Sequence, residues 1–253
     1  ASLQAPVLER SGHFLRGKFD QFQRHRPYAA LGDAFGPLMQ GLAVEPDAPA
    51  WRDRLRTALG EHAAAVAELV PGLTLLTGPM PALPLLPPHE DGQRLHLAFA
   101  RFVQALAQPA RPLLLFLDDL QWADEATLQL LEMLLRDDPD AAPRALLVVG
   151  ALREAEVDAQ HPLVGLKASL RPGLGERLVE CHLAPLSLAD SLLLLAESLH
   201  APPADCEALA ALCQRKTGGN PFFLAQFLRR LHAQGQLAYD RRAGCWAWDL
   251  AAA

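Results

Sequence analysis

The 253-residue sequence predicts an α/β fold: a parallel sheet, then a small all-helical subdomain, then a hairpin. Three observations predict it. Leu113 to Leu117 form an unbroken apolar run in "PLLLFLDD", as expected of a strand buried on both faces at the centre of a parallel sheet. "RALLVVGAL" repeats that character after a helical stretch, and strand–helix–strand with both strands apolar marks a parallel α/β unit. From Ser187 onward the pattern changes to capped helices ending in glycine.

In chain order, Leu3 to Arg10 has helical spacing, and "HFLRGKF" alternates as a strand does. "YAALGDAFGPLMQGL" and "WRDRLRTALGEHAAAVAELV" are helical with interruptions. Residues 71–90, rich in proline and glycine, predict an irregular, exposed connection. A helix from about Gly92 to Ala107 follows, with Leu95, Phe99, Phe102 and Leu106 at core spacing. Asp124 suits the N-cap of a helix over Glu125 to Arg136. "RLVECHLAPL" predicts a third, weaker strand. "SLADSLLLLAESL", "ADCEALAALCQRKTG" and "NPFFLAQFLRRLHAQG" are the later helices, and Phe222 and Phe223 are expected in their core. "QLAYDRRAGCWAWDL" predicts a hairpin turning at Arg242-Ala243-Gly244. The expected domains are an α/β core over 1–185, a helical subdomain over 186–235, and 236–253 as a hairpin or the start of a following domain.

Composition narrows the function. Hydrophobic residues are 51% of the chain and charged residues 21%, which suits a sizeable core and argues against wholesale disorder. A net charge of −6 gives no electrostatic reason to expect nucleic-acid binding. A winged-helix reading of the C-terminal part has only Arg229, Arg230, Arg241 and Arg242 to offer as a basic patch. No apolar run approaches the roughly 20 residues of a membrane span. "ASLQAPVLER" lacks the features of a secretory signal, so a cytoplasmic location is expected. Cys181, Cys206, Cys213 and Cys245 show no C-x-x-C spacing; Cys206 and Cys213 suit a helix core rather than a metal site.

Two stretches carry chemistry. "LLLFLDD" delivers Asp118 and Asp119 to the C-terminal edge of a central strand, where open α/β sheets bind ligands. Mg²⁺ takes hard oxygen ligands, and a neighbouring carboxylate can orient an attacking water. Asp118 for the metal and Asp119 for the water is the natural division. Adjacent strand residues face opposite ways, so a turn must begin at the strand end for both to reach one site. The second stretch is "SGHFLRGKFD", where Gly12, Gly17 and Lys18 spell G-x-x-x-x-G-K, as in a phosphate-binding loop. Phe19 stands where Ser or Thr is required, the intervening residues are bulky, and Pro27 follows too soon for a long helix. A strand is expected here.

The run "LLLFLDDLQWAD", followed by "LLVVGALRE", resembles the Walker B segment of STAND-class signal-transduction ATPases, relatives of the AAA+ proteins. The likeness extends through "GKFDQFQRHRPYAAL", "GALREAEVDAQHPL", "KTGGNPFFLAQFLRRL" and "GCWAWDL", and is strongest to the predicted-ATPase domain of large bacterial sensor kinases. The resemblance implies a P-loop NTPase-like sheet with a helical lid, and ATP and Mg²⁺ as cofactors. It makes Asp118 and Asp119 the Walker B pair. It makes Arg153 the arginine that feels the γ-phosphate, which suits a guanidinium fork. Gly219, Asn220 and Pro221 match the family's G-x-P element, where the lid approaches the base. Gln121, Trp122 and His161 also match, without an assigned chemical role.

In that family the segment at "GKFDQF" is the strand after the P-loop helix. The resemblance therefore implies that the N-terminal strand and P-loop are missing, so that residues 1–253 alone should bind ATP poorly and turn it over negligibly. The expected partners are kinase or other output domains of the same polypeptide, with self-association possible. The alternative expectation is a non-catalytic interaction scaffold that keeps the fold.

Overall fold

The computed structural model describes residues 4–22, 26–80, 88–136, 145–241 and 243–249. The chain folds as two units, Ala1–Val179 and Glu180–Ala253.

In the first unit a short helix, α1 (Gln4–Glu9), leads into strand β1 (His13–Lys18). Helices α2 (Ala29–Val44), α3 (Ala48–Leu59), α4 (Ala63–Leu69), α5 (Leu73–Thr77) and α6 (Pro88–Leu106) precede β2 (Leu113–Asp118). A 3₁₀ turn at Leu120–Trp122, helix α7 (Glu125–Leu135), strand β3 (Leu146–Gly150) and helix α8 (Pro162–Leu174) complete it. The strands lie in the order β1-β2-β3, all parallel, with Lys18 opposite Asp118 and Leu117 opposite Gly150. That register brings the C-terminal ends of the strands to one edge.

One sheet face, Leu15, Leu113, Leu115 and Leu117, packs into the core with the inward faces of α2, α3 and α6. Phe35, Phe99 and Phe102 meet there with ring centroids 5.3–5.7 Å apart, in tilted and edge-on arrangements that aromatic quadrupoles favour. The predicted strand at "HFLRGKF" is β1, and its glycines serve packing. A Cβ at Gly12 would lie 2.4 Å from the Pro112 carbonyl oxygen, and one at Gly17 would lie 2.6 Å from that of Ala30. Only glycine lets the backbone approach so closely.

The second unit comprises α9 (Leu188–Leu199), α10 (Pro203–Thr217) and α11 (Pro221–Ala233), then the antiparallel hairpin β4 (Leu237–Asp240) and β5 (Cys245–Trp248). Ser187 and Asp190 form a reciprocal capping box at the start of α9. Leu195, Leu209, Leu224, Leu231 and Leu237 form a core of their own, with Cys206 and Cys213 among them. All four cysteines are free thiols, and burial pushes the Cys213 thiol up to about 11.

Four expectations are corrected. The predicted strand over "RLVECHLAPL" is not one: residues 179–186 pair with no strand among the described residues, and Val179 and Leu183 are exposed. Alternating apolar residues make a strand only where a neighbouring strand accepts their hydrogen bonds. Strand β3, expected to be buried on both faces, exposes Leu147. The expected exposed connection at 71–90 contains α5, whose Leu73 and Leu76 are fully buried, and the following helix begins at Pro88 rather than Gly92. Phe222 and Phe223 are exposed at the start of α11, with Leu224 taking the core position. Leu3, Arg242, and the parts of the connection and of the α7–β3 link at 81–87 and 137–144 lie outside the described residues.

Candidate functional site

The backbone at the end of β2 determines what reaches the sheet edge. Asp119 adopts a left-handed conformation, with φ of 54° and ψ of 42°. Aspartate and asparagine tolerate this region better than most residues with a Cβ. The strand therefore stops at Asp118, and both carboxylates remain at the same edge. Immediately beyond, the Leu120 N–H donates to the Ala151 carbonyl at 2.9 Å and the Ala151 N–H to the Leu117 carbonyl at 2.8 Å. These bonds carry the β2–β3 pairing into the loops and hold the segment that bears Arg153 against the turn after Asp119.

The side chains form an ionic cluster. The Arg16 guanidinium lies 2.9 Å from Asp118 Oδ2. Lys18 Nζ lies 3.3 Å from Asp119 Oδ2, and Arg153 Nε lies 3.5 Å from Asp119 Oδ1. Arg153 also reaches Glu156 Oε1 at 3.2 Å and stacks on Trp122, its guanidinium carbon 5.4 Å from the ring centroid. Asp119 is only 7% exposed, whereas the Arg16, Lys18 and Arg153 side chains are mostly exposed. Solvent-exposed cations facing a buried carboxylate can be displaced by an incoming ligand at little cost, because exposed ion pairs are worth about 0–1 kcal/mol.

Gln121 is almost fully buried inside this cluster. Its Nε2 donates to Asp119 Oδ1 at 3.2 Å and to Glu156 Oε2 at 3.3 Å, and its Oε1 accepts from the Arg153 N–H at 3.3 Å. Asp124 has another task. It caps α7 by accepting from the Thr127 N–H at 2.8 Å, and it also accepts from the Tyr28 N–H, which ties the helix start to residue 28. His161 caps α8, its Nδ1 accepting from the Leu163 N–H, so its Nε2 carries the proton and donates to the Gln121 carbonyl at 3.0 Å.

Asp118, Asp119 and Arg153 thus stand together in the first unit. Gly219, Asn220 and Pro221 belong to the second unit, where they build the entry to α11. Asn220 Oδ1 accepts from the N–H groups of Phe222 and Phe223, with Pro221 at the first helical position. Gly219 has φ of +76°, and a Cβ there would lie 2.2 Å from the Leu186 carbonyl oxygen, so the position requires glycine. Sequence reasoning missed Arg16, Lys18 and Glu156 as members of the cluster. The available signal was the parallel pairing of β1 with β2, which sets Lys18 beside Asp118.

The donor set can be tested against Mg²⁺. Among the described residues no group of three or more His, Cys, Asp or Glu side chains could hold a metal by itself. Two acidic side chains at a sheet edge instead fit an ion held by one carboxylate plus waters and phosphate oxygens, as Mg²⁺ is.

A family model described as "AAA ATPase domain" matches residues 1–149. The hybrid signal transduction histidine kinase G of Dictyostelium discoideum is 25% identical over 299 aligned positions, covering 94% of this chain. The chain spans 8% of the length of that curated relative. No solved structure matches the chain.

Proposed function

The chain belongs to the AAA ATPase domain family, and from that premise we propose that it is the ATP-responsive core and helical lid of a regulatory switch in a multidomain signalling protein. The observation that carries this reading is the pair Asp118 and Asp119 at the C-terminal edge of a parallel sheet, with Arg153 at 3.5 Å from the second carboxylate. In this reading they are the Walker B pair and the phosphate-sensing arginine of a STAND-class domain.

Asp118 would hold Mg²⁺ after releasing Arg16. Held there, the ion would supply positive charge to offset that of the phosphate oxygens of ATP. Asp119, kept at the sheet edge by its left-handed backbone, would accept a hydrogen bond from the attacking water and orient it. Arg153 can exchange its contact with Asp119 for phosphate oxygens, which it matches as a fork. Exchange of that partner would remove one of the contacts that hold the loop after β3, which would give the switch a local cause. In this reading Gly219, Asn220 and Pro221 are the G-x-P element of the lid. The phosphate cradle would come from residues other than His13–Lys18, since those form a strand.

Similarity to a much longer hybrid histidine kinase supports adjoining kinase or other output domains as partners. No helix among the described residues is long and apolar enough to cross a membrane, and a cytoplasmic placement is proposed with this reading.

Titration of the full-length protein with a fluorescent ATP analogue, with and without Mg²⁺, tests it. Magnesium-dependent binding weakened in Asp118→Asn is expected, and absence of any nucleotide binding would sink it. One observation favours the second reading, a scaffold without turnover: the G-x-x-x-x-G-K stretch of this chain is a packed strand. Binding without hydrolysis, or neither, would select that scaffold.

A further inference from the structure

The carboxamide of Gln121 touches three members of the cluster, and none of these contacts duplicates another. Its two N–H donors are divided between Asp119 Oδ1 and Glu156 Oε2, while its carbonyl oxygen accepts the backbone N–H of Arg153. Arg153 closes the circuit, its Nε directed at Asp119 Oδ1 and its Nη1 at Glu156 Oε1. The result is a ring of four residues in which the buried, neutral one is bonded to the other three.

We propose that Gln121 is a positioning residue that sets Asp119 and Arg153 in fixed mutual geometry and couples a displacement of either to the other. The inference rests on the reading of Asp119 and Arg153 as the nucleotide-responsive groups. The physical case has three parts. An amide is the side chain that can donate to two carboxylates and accept a backbone N–H at once, which neither a carboxylate nor an apolar residue can do. Gln121 is 1% exposed, so water does not compete for these bonds and an unpaired amide would be costly there. Its backbone is fixed as well: the His161 Nε2–H donates to the Gln121 carbonyl at 3.0 Å, from a ring oriented by its own cap of α8. Both loops that flank the sheet edge therefore meet at one residue.

The coupling has a direction. If Arg153 turns toward a phosphate, Asp119 Oδ1 loses one donor but keeps Gln121, so the carboxylate stays aimed while its charge becomes less neutralised. Without the amide, departure of Arg153 would leave Asp119 Oδ1 without either of these partners.

Two substitutions separate the halves of the amide. Gln121→Glu keeps an oxygen for the Arg153 N–H and removes the donors, whereas Gln121→Met removes both and preserves length. In the 253-residue chain, hydrogen exchange at the Arg153 amide is expected to accelerate about tenfold or more in Gln121→Met and to stay near wild type in Gln121→Glu. In the full-length protein both variants are expected to lower kcat for ATP hydrolysis about 10- to 100-fold, with KM changed less than about threefold, because Gln121 acts through Asp119 and not on substrate. Unchanged Arg153 exchange in Gln121→Met, or kcat of both variants within about twofold of wild type, overturns the proposal. A loss of kcat that merely follows a loss of folded protein, read by thermal unfolding, assigns Gln121 a packing role and overturns it too. If wild-type protein shows no hydrolysis, the switch reading fails by itself, and the exchange experiment still decides whether Gln121 organises Arg153.

Discussion

Asp119 joins an unusual backbone to a charged side chain, and the two can be separated by substitution. Its φ of 54° would cost an ordinary residue with a Cβ about 1–2 kcal/mol, less for Asp or Asn and nothing for Gly. Its ion pairs with Lys18 and Arg153, at 3.3 and 3.5 Å, engage cations whose side chains are each 61% exposed. Solvent screening then limits their joint contribution to about 1 kcal/mol. Asp119→Asn keeps an oxygen for Gln121 Nε2 and tolerates the left-handed region, so it should destabilise by about 1 kcal/mol or less. Asp119→Ala loses the ion pairs and adds backbone strain, about 2 kcal/mol in all. For a chain of this size that is a Tm lower by about 4–8 °C, against about 2–4 °C or less for the asparagine variant.

Catalysis should order the variants differently. Asn and Ala both lack the carboxylate proposed to orient water, so on that reading each should lower turnover by the full-length protein about 10²- to 10⁴-fold. Calorimetry of the chain and steady-state ATP hydrolysis by the full-length protein supply the two measurements. An alanine variant as stable as the asparagine variant would refute the backbone argument. An asparagine variant with turnover close to wild type would refute the role given to the carboxylate.

Three further outcomes are expected. Leu115→Ala, at a fully buried site in the central strand, should cost about 2–5 kcal/mol in urea unfolding through lost burial and a residual cavity. Gly219→Ala should destabilise the second unit by more than about 1 kcal/mol, because it meets both a positive φ and the Leu186 carbonyl, and limited proteolysis of that unit should accelerate. His13 and His96 both titrate below the ordinary histidine value, mainly because burial disfavours the charged ring; beside His13, Arg111 adds repulsion that Glu45 and Asp47 oppose. The unfolded chain therefore binds more protons than the folded one below pH 6.5, so stability is full above that pH and is lost as pH falls through the depressed values. Urea midpoints compared across pH 5 to 8, roughly the range where histidine changes charge, should fall on the acid side, and less so in His96→Gln.

What could be read from the chain depended on whether one segment or two decided the outcome. Strand β2 was legible because its unbroken apolar run matches burial on both faces, and Asp124 was legible as a cap because capping is local. The turn needed after Asp118 could be inferred from pleat geometry, and Asp119 supplies it. The exposure of Leu147, Phe222 and Phe223 was not legible, since apolar character does not tell which neighbours cover a face. "RLVECHLAPL" failed for the same reason: strand propensity is realised only through a partner. The cations around Asp118 and Asp119 were hidden because register belongs to a pair of strands.

The stretch Gly12–Lys18 shows how one sequence pattern can serve two different physical ends. A phosphate cradle needs successive N–H groups left free and converging on an anion. In β1 alternate N–H groups are committed instead to the parallel ladder with β2, beginning with His13, whose N–H donates to Pro112 at 2.8 Å. Both glycines are accounted for by close approaches, to Pro112 and to Ala30. What remains of the motif is Lys18, and the ladder carries it to the sheet edge beside Asp118, within 3.3 Å of Asp119. The lysine therefore reaches the charged site through strand register rather than through a loop. There it balances the carboxylate's charge, and any ligand bringing its own positive ion to that edge must compete with it.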